Sequence, residues 1–310
     1  MGNYQSELDA FDYKASQMLS PLVSTGRTIY VSSVTGTASS QGTQPRSPIS
    51  TIDAAIGLCT ANKGDRIVVL PGHAETLSAA SAITCDVAGV TIIGIGTGSL
   101  MPTLTYSATA ATTVISAANV TISGIRFVAG IDNVAVFVTM GADWGRLSGC
   151  EFWGDATYQF INGVGITTTK DYAIIEGCKF WQSTDPAATN AAAGTGAIYL
   201  VDSEHVRIRD CEFNGYFETA FIHNKTTGAA DLWVSRCKGI CSLSDAQPFL
   251  LVSSATGGVE DSSFITPAEV ATTEATLSGT FGAGYFNFRT YFGNDGGGGQ
   301  LAIASQAAAS

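Results

Sequence analysis

The sequence predicts an all-β fold: a single-stranded parallel β-helix with an N-terminal capping helix. Three observations predict it. A short motif recurs along the middle of the chain, apolar residues alternate within each copy, and no helix-length pattern separates the copies.

The motif is seen by aligning VTISGIRF ending at Phe127, WGRLSGCEF at Phe152, YAIIEGCKF at Phe180, VRIRDCEF at Phe213, LWVSRCKG at Gly239 and GVEDSSF at Phe264. Each copy has Ile125, Cys150, Cys178, Cys211, Cys237 or Ser262 at its centre, an apolar residue three positions earlier, and Phe or Gly two positions later. The centres are 25, 28, 33, 26 and 25 residues apart, which suits a coil whose loops vary in length. Alternation marks strands with one buried face. Gly124, Gly149, Gly177 and Asp210, just before the centres, are turn formers that would bend one strand into the next. A strand pair in each copy, stacked coil on coil, buries a face that no single coil could bury. From Val68 to Phe264 there is chain for roughly seven coils. Ile125, Cys150, Cys178, Cys211 and Cys237 should then form one inward stack, with the thiols as small apolar filling.

Between centre and Phe stand Arg126, Glu151, Lys179, Glu212 and Lys238, whose signs alternate. Stacked outward about 5 Å apart, they would attract rather than repel. Glu176 and Arg209 do the same one column away.

An open coil end exposes unpaired edges. SPISTIDAAIGLCTAN supplies a lid, a helix over about 50–61. Ser50 or Thr51 caps it, Asp53 lies in its first turn, and Ile52, Ala55, Ile56 and Cys59 share a face. The strand after Gly64-Asp65 would begin the coil.

STIDAAIGLCTANKGDRIVVLPGHAETL, then VTIIGIGTG and the coils that follow, resemble the pectin-lyase-like right-handed β-helix superfamily over about residues 45–265. The resemblance implies a right-handed coil. It implies no single function, because the superfamily holds enzymes, tailspikes and inert structural proteins. The acidic, Ala/Gly/Ser/Thr-rich character with arms at both ends is most similar to virion proteins of tailed phages, which use such coils as tailspikes and capsid decorations.

This reading divides the chain into an N-terminal arm (1–26), the β-helix (27–265) and an aromatic C-terminal segment with a flexible tail (266–310). The arm can form an amphipathic helix through Leu8, Phe11 and Leu19. Phe281, Tyr285, Phe286, Phe288, Tyr291 and Phe292 crowd into twelve residues, as a lid or subunit interface would. Gly296–Gly299 and the residues after them read as a tether.

A net charge of −11 with scattered Lys and Arg argues against nucleic acid and anionic membranes as partners. The start lacks a basic-then-apolar leader, and no apolar run reaches spanning length. Seven widely spaced cysteines are expected to stay reduced in a protein made in a host cytoplasm.

Chemistry is thinly signalled. Glycan hydrolysis needs two carboxylates facing one bond. The densest set is Asp202, Glu204, Asp210 and Glu212, beside His205. Turn and charge column already account for Asp210 and Glu212, and the next coil has no matching carboxylate. Cys237 and Cys241 alone approach metal-ligand spacing and lack partners, so neither metal nor cofactor is expected. The sequence thus points to a non-enzymatic phage virion protein. It would be a capsid cement or decoration protein on the outer capsid surface, a homotrimer bound to the major capsid protein. The alternative is a tailspike-type protein that binds or degrades polysaccharide, with Asp202, Glu204, Asp210 and Glu212 as its catalytic carboxylates.

Overall fold

The computed structural model describes residues 26–167, 170–183, 196–224, 229–241, 247–251, 255–266, 285–288, 291–294 and 297–301. The chain winds into a column with three sheet faces. Sheet I starts at Thr28–Val31 and runs through Arg66–Val69, Thr121–Ser123 and Arg207–Arg209 to Tyr285–Phe288. Sheet II runs from Ala74–Leu77 through Glu151–Trp153 to Gly297–Leu301, and sheet III from Ile83–Cys85 through Phe160–Ile166 to Gln247–Leu250. Seven successive coils contribute a strand to all three sheets. Among the described strands every pairing is parallel except that of Tyr291–Asn294 with Gly297–Leu301, which is antiparallel.

Strand alternation sends Ile122, Leu147, Ile175, Ile208 and Val234 into the core from sheet I, in direct register. Phe127, Phe152, Phe180 and Phe213 do so from sheet II, with ring centroids 4.9, 4.5 and 5.2 Å apart and near-parallel planes. At the next step the column has Gly239, and Phe221 of sheet III fills the space. A Cβ on Gly239 would lie 2.6 Å from the Phe221 ring and 2.7 Å from Phe264. The glycine that breaks the sequence motif therefore admits a ring from another sheet.

Ile125, Cys150, Cys178, Cys211 and Cys237 are all buried at the corner between sheets I and II. The four thiols are free and contact one another in series. Burial pushes the Cys178 thiol well above its ordinary value, and its neighbours Cys150 and Cys211 push the same way. This is the environment of an unreactive core thiol. Outside, Arg126, Glu151, Lys179, Glu212 and Lys238 stand in register. Of these neighbours only Arg126 and Glu151 form an ion pair, at 2.7 Å, among the described residues.

Four expectations need correction. The repeat alignment counted two strands per coil. The third, in sheet III, was hidden because its residues do not recur at fixed offsets from the motif. The coil also begins earlier, since Thr28–Val31 pairs with Arg66–Val69. The lid helix is only Ile52–Ile56, not 50–61. Thr51 caps it, Ile52, Ala55 and Ile56 are buried, and the chain then turns, because Asp65 accepts hydrogen bonds from the backbone of Thr60 and Arg27 at 2.7 and 2.6 Å. Finally, the winding continues past Phe264. Tyr285–Phe288 extends sheet I and Tyr291–Asn294 extends sheet II, and Gly297–Leu301, expected as tether, is a strand. Tyr285, Phe286, Phe288, Tyr291 and Phe292 thus lie in these two strands. Phe281 and most of the N-terminal arm lie outside the described residues.

His73 follows the sheet I strand Arg66–Val69 and is buried. Its Nδ1 accepts the Ser33 N–H at 2.9 Å, so Nε2 carries the proton toward Glu75, 2.8 Å away. The same Glu75 oxygen accepts the helix N–H of Ile52 at 2.7 Å. One histidine thereby ties the lid to the first coil.

Candidate functional site

The four candidate carboxylates do not converge. Asp202 and Glu204 lie in the turn that leads from sheet III into Arg207–Arg209, while Asp210 and Glu212 lie beyond that strand, at the opposite corner of sheet I. Asp210 is clamped by Arg236, whose Nε and Nη2 donate to its two carboxylate oxygens at 2.7 and 2.8 Å. That pairing holds its carboxyl below the ordinary value. Glu212 is exposed in register with Lys179 and Lys238. Among the described residues, no three His, Cys, Asp or Glu side chains gather as a metal ion would require.

What the structure does assemble is a charged and aromatic face on sheet I. A groove of about 320 Å³ is lined by Arg207, Arg209, Trp233, Ser235, Arg236 and Glu260, over Ile208. Outward alternation on adjacent strands puts Arg207 beside Trp233 and Arg209 beside Ser235. Each guanidinium is held by a carboxylate that does not itself line the groove. Arg207 pairs with Asp231 at 2.6 Å, Arg209 with Glu176 at 2.6 Å, and Arg236 with Asp210. The lining therefore presents three guanidinium groups, each already balanced by a carboxylate behind it, together with Glu260.

Asp231 organises the groove's upper edge. It accepts hydrogen bonds from Arg207, from His205 Nδ1 at 2.7 Å and from Trp233 Nε1 at 2.6 Å. Burial alone would raise its carboxyl. The bonds from Arg207, His205 and Trp233 outweigh that and hold it at about 2. Glu176 follows the same logic: burial opposes ionisation, and Arg146, Arg209 and Ser148 overcome it to lower its value.

Next to this face runs the corner where sheet III turns into sheet I. Each coil has a left-handed residue at the equivalent place there, namely Asn62, Gly89, Asn119, Trp144, Tyr172, His205 and Asp231, with φ between 53° and 75°, and Gly64 and Asp202 are further left-handed residues of the same turns. Their backbones are linked coil to coil, for example Asn119 N–H to Asp143 O and Trp144 N–H to Asp171 O. Trp144 and Tyr172 stack at 4.1 Å with planes 3° apart, and Tyr172 stacks on His205 at 4.7 Å. Sequence reasoning noted His205 only as a neighbour of carboxylates and missed Trp144, Tyr172, Asp231 and Trp233. The available signal was an aromatic residue two positions before the first strand residue in successive copies: Trp144 before Arg146, Tyr172 before Ile174, His205 before Arg207.

No known family profile matches the chain, and no curated protein matches it. Solved structures do. A pectate lyase, Pel9A, superposes with a TM-score of 0.62 at 11% identity, covering 93% of this chain and 82% of that one. A rhamnogalacturonan lyase gives 0.54 at 11% identity, covering 85% and 82%. A Geobacillus virus E2 protein, ORF18, aligns at only 0.36 with 13% identity, covering 79% of this chain and 57% of that one, which is too distant to carry an argument. At these identities the likeness establishes the architecture, a right-handed parallel β-helix of the pectate-lyase kind, and leaves the activity to be argued from this chain's own residues.

Proposed function

We propose that the chain is a non-enzymatic structural protein of a virion, a capsid cement or decoration protein on the outer shell. It would act as a homotrimer seated on the major capsid protein. The observation that carries this reading is how the polar side chains are used. Asp210, Glu176 and Asp231 are each tied to arginines of neighbouring coils, along the column axis. With the stacked phenylalanines and thiols inside, they make a stiff post whose carboxylates hold the post together. Such a post adds buried area wherever its ends are gripped. Quantifying the protein in purified particles tests this: hundreds of copies are expected, with particles lacking it disrupting at lower temperature. Absence from particles overturns it.

A second reading, a tailspike-type protein that binds polysaccharide, is favoured by the groove on sheet I, with Trp233 and three guanidinium groups opening outward. Incubation with surface polysaccharide separates binding from cleavage. Retention without new reducing ends or unsaturated products supports binding alone. Product formation abolished by Asp202→Ala or Glu204→Ala would make it a depolymerase.

A further inference from the structure

The left-handed corner asks only for a residue that tolerates positive φ. The first three coils meet that demand with Asn62, Gly89 and Asn119. Asparagine and glycine adopt this conformation easily, whereas a bulky side chain costs about 1–2 kcal/mol there. Trp144, at φ 60°, and Tyr172, at φ 60°, are therefore more than the turn requires. Strain kept at an exposed position is a reason to look for function.

The rings are also held in one orientation. Asp231 fixes His205, His205 supports Tyr172, and Tyr172 covers one face of Trp144. On the other side of Trp144 the column has Asn119, whose side chain is too short to cover an indole. Trp144 accordingly keeps 52% of its surface exposed. Two polar side chains belong to the same stretch of this corner, on residues joined by the Asn119 N–H to Asp143 O bond at 3.1 Å. One is the Asn119 amide, for which the described residues provide no partner. The other is the Asp143 carboxylate, whose Oδ1 accepts the Asp171 N–H at 3.2 Å and whose second oxygen is left over. A rigid apolar plane beside an amide and a carboxylate matches one ligand chemistry well: a pyranose ring, with its C–H face on the indole and its hydroxyls on the two polar groups.

We propose that the exposed face of Trp144, with Asn119 and Asp143, is a saccharide-binding subsite that takes one pyranose ring of a longer glycan. Trp233 and the arginine groove lie three coils further on, about 14 Å away, on the side of Trp144 that Tyr172 and His205 cover, so the subsite is separate from that groove. This inference rests on the polysaccharide-binding reading and names where one ring sits.

The test uses the full chain and an array of pyranose hexasaccharides, neutral, amino and acidic, with isothermal titration of those that bind. Trp144→Asn is the variant of choice, because asparagine serves the same turn at Asn62 and Asn119, and its melting temperature reports whether the coil is intact. At least one hexasaccharide is expected to bind wild type and to quench indole emission, with affinity falling tenfold or more in Trp144→Asn. If wild type and Trp144→Asn bind equally, the subsite is wrong while polysaccharide binding stands. If no hexasaccharide binds wild type, both fall.

Discussion

The column turns through two tight corners of opposite character. Where sheet I meets sheet II, the left-handed position is held by Gly124, Gly149 and Gly177, then by Asp210, Arg236 and Asp261. Where sheet III meets sheet I, it is held by Asn and Gly in the early coils and by Trp144, Tyr172, His205 and Asp231 later. Both corners use the same backbone solution: the left-handed N–H donates to a carbonyl of the next coil at Gly124, Gly149, Gly177, Asp210 and Arg236 in the first and from Asn62 to His205 in the second, where the Asp231 N–H donates instead to the Thr256 hydroxyl. They differ in what their side chains do. The first corner is closed at one step, where a Cβ on Gly124 would lie 2.6 Å from the Gly94 carbonyl oxygen, while a Cβ on Gly149 would meet nothing within 4 Å and one on Gly177 only the Gly149 backbone at 3.7 Å. At the second, side chains grow into rings that stack from coil to coil. Sterics fix the first corner at Gly124, and the second carries an aromatic ladder.

The comparison presumes that both corners hang on one inner stack, and the largest expected effect tests that. Phe180 sits between Phe152 and Phe213 and is fully buried. Phe180→Ala should cost about 3–5 kcal/mol, because rings above and below cannot both collapse into the space. Urea unfolding gives the number. A cost under about 1 kcal/mol would mean that the coils are stabilised one by one.

Gly124→Val sharpens the contrast between corners. The new side chain meets the Gly94 carbonyl and must also adopt φ 67°, a combination expected to cost about 3 kcal/mol. Chemical denaturation of this variant against Gly89→Asn, at the other corner, should show the second to be nearly silent.

Acid titration probes the ring corner through Asp231. Its folded-state carboxyl sits at about 2, below the ordinary 3.8. The stabilisation is therefore whole above about pH 4 and is lost as pH falls through that window toward 2. With its side chain about a third exposed, the contribution is about 1 kcal/mol after solvent screening. Asp231→Asn should lose that stability at neutral pH and match wild type near pH 2. A gap that persists unchanged at pH 2 would show that the loss comes from packing and not from charge.

The sequence motif exposed the first corner and not the second, for a physical reason. Gly124, Gly149, Cys150 and Phe152 are fixed by contacts to the coils on either side, so each copy repeats them at the same offset. Sheet III strands vary from three to seven residues and follow loops of different lengths, so no offset survives to be aligned. The alternating charges in Arg126, Glu151 and Lys179 were visible because register follows from the same motif. The hub at Asp231 was not, because His205, Arg207 and Trp233 meet there only once coils from different repeats are stacked. His73 was passed over likewise: it accepts from Ser33 directly and is linked to Ile52 through Glu75, and both Ser33 and Ile52 come from segments that sequence reasoning placed outside the first coil.

The smallest expected effect is the most discriminating. In Trp144→Asn two contributions oppose each other. Relief of the left-handed strain returns about 1 kcal/mol, and loss of stacking on Tyr172 removes about 0.5–1.5 kcal/mol. The net change in stability should lie within about 0.5 kcal/mol of zero, far below the cost of Gly124→Val although both residues have φ near 60°. Parallel thermal melts of the two variants check this. A loss above about 2 kcal/mol in Trp144→Asn would make the rings part of the turn itself, and the strain at Trp144 would then need no ligand to explain it.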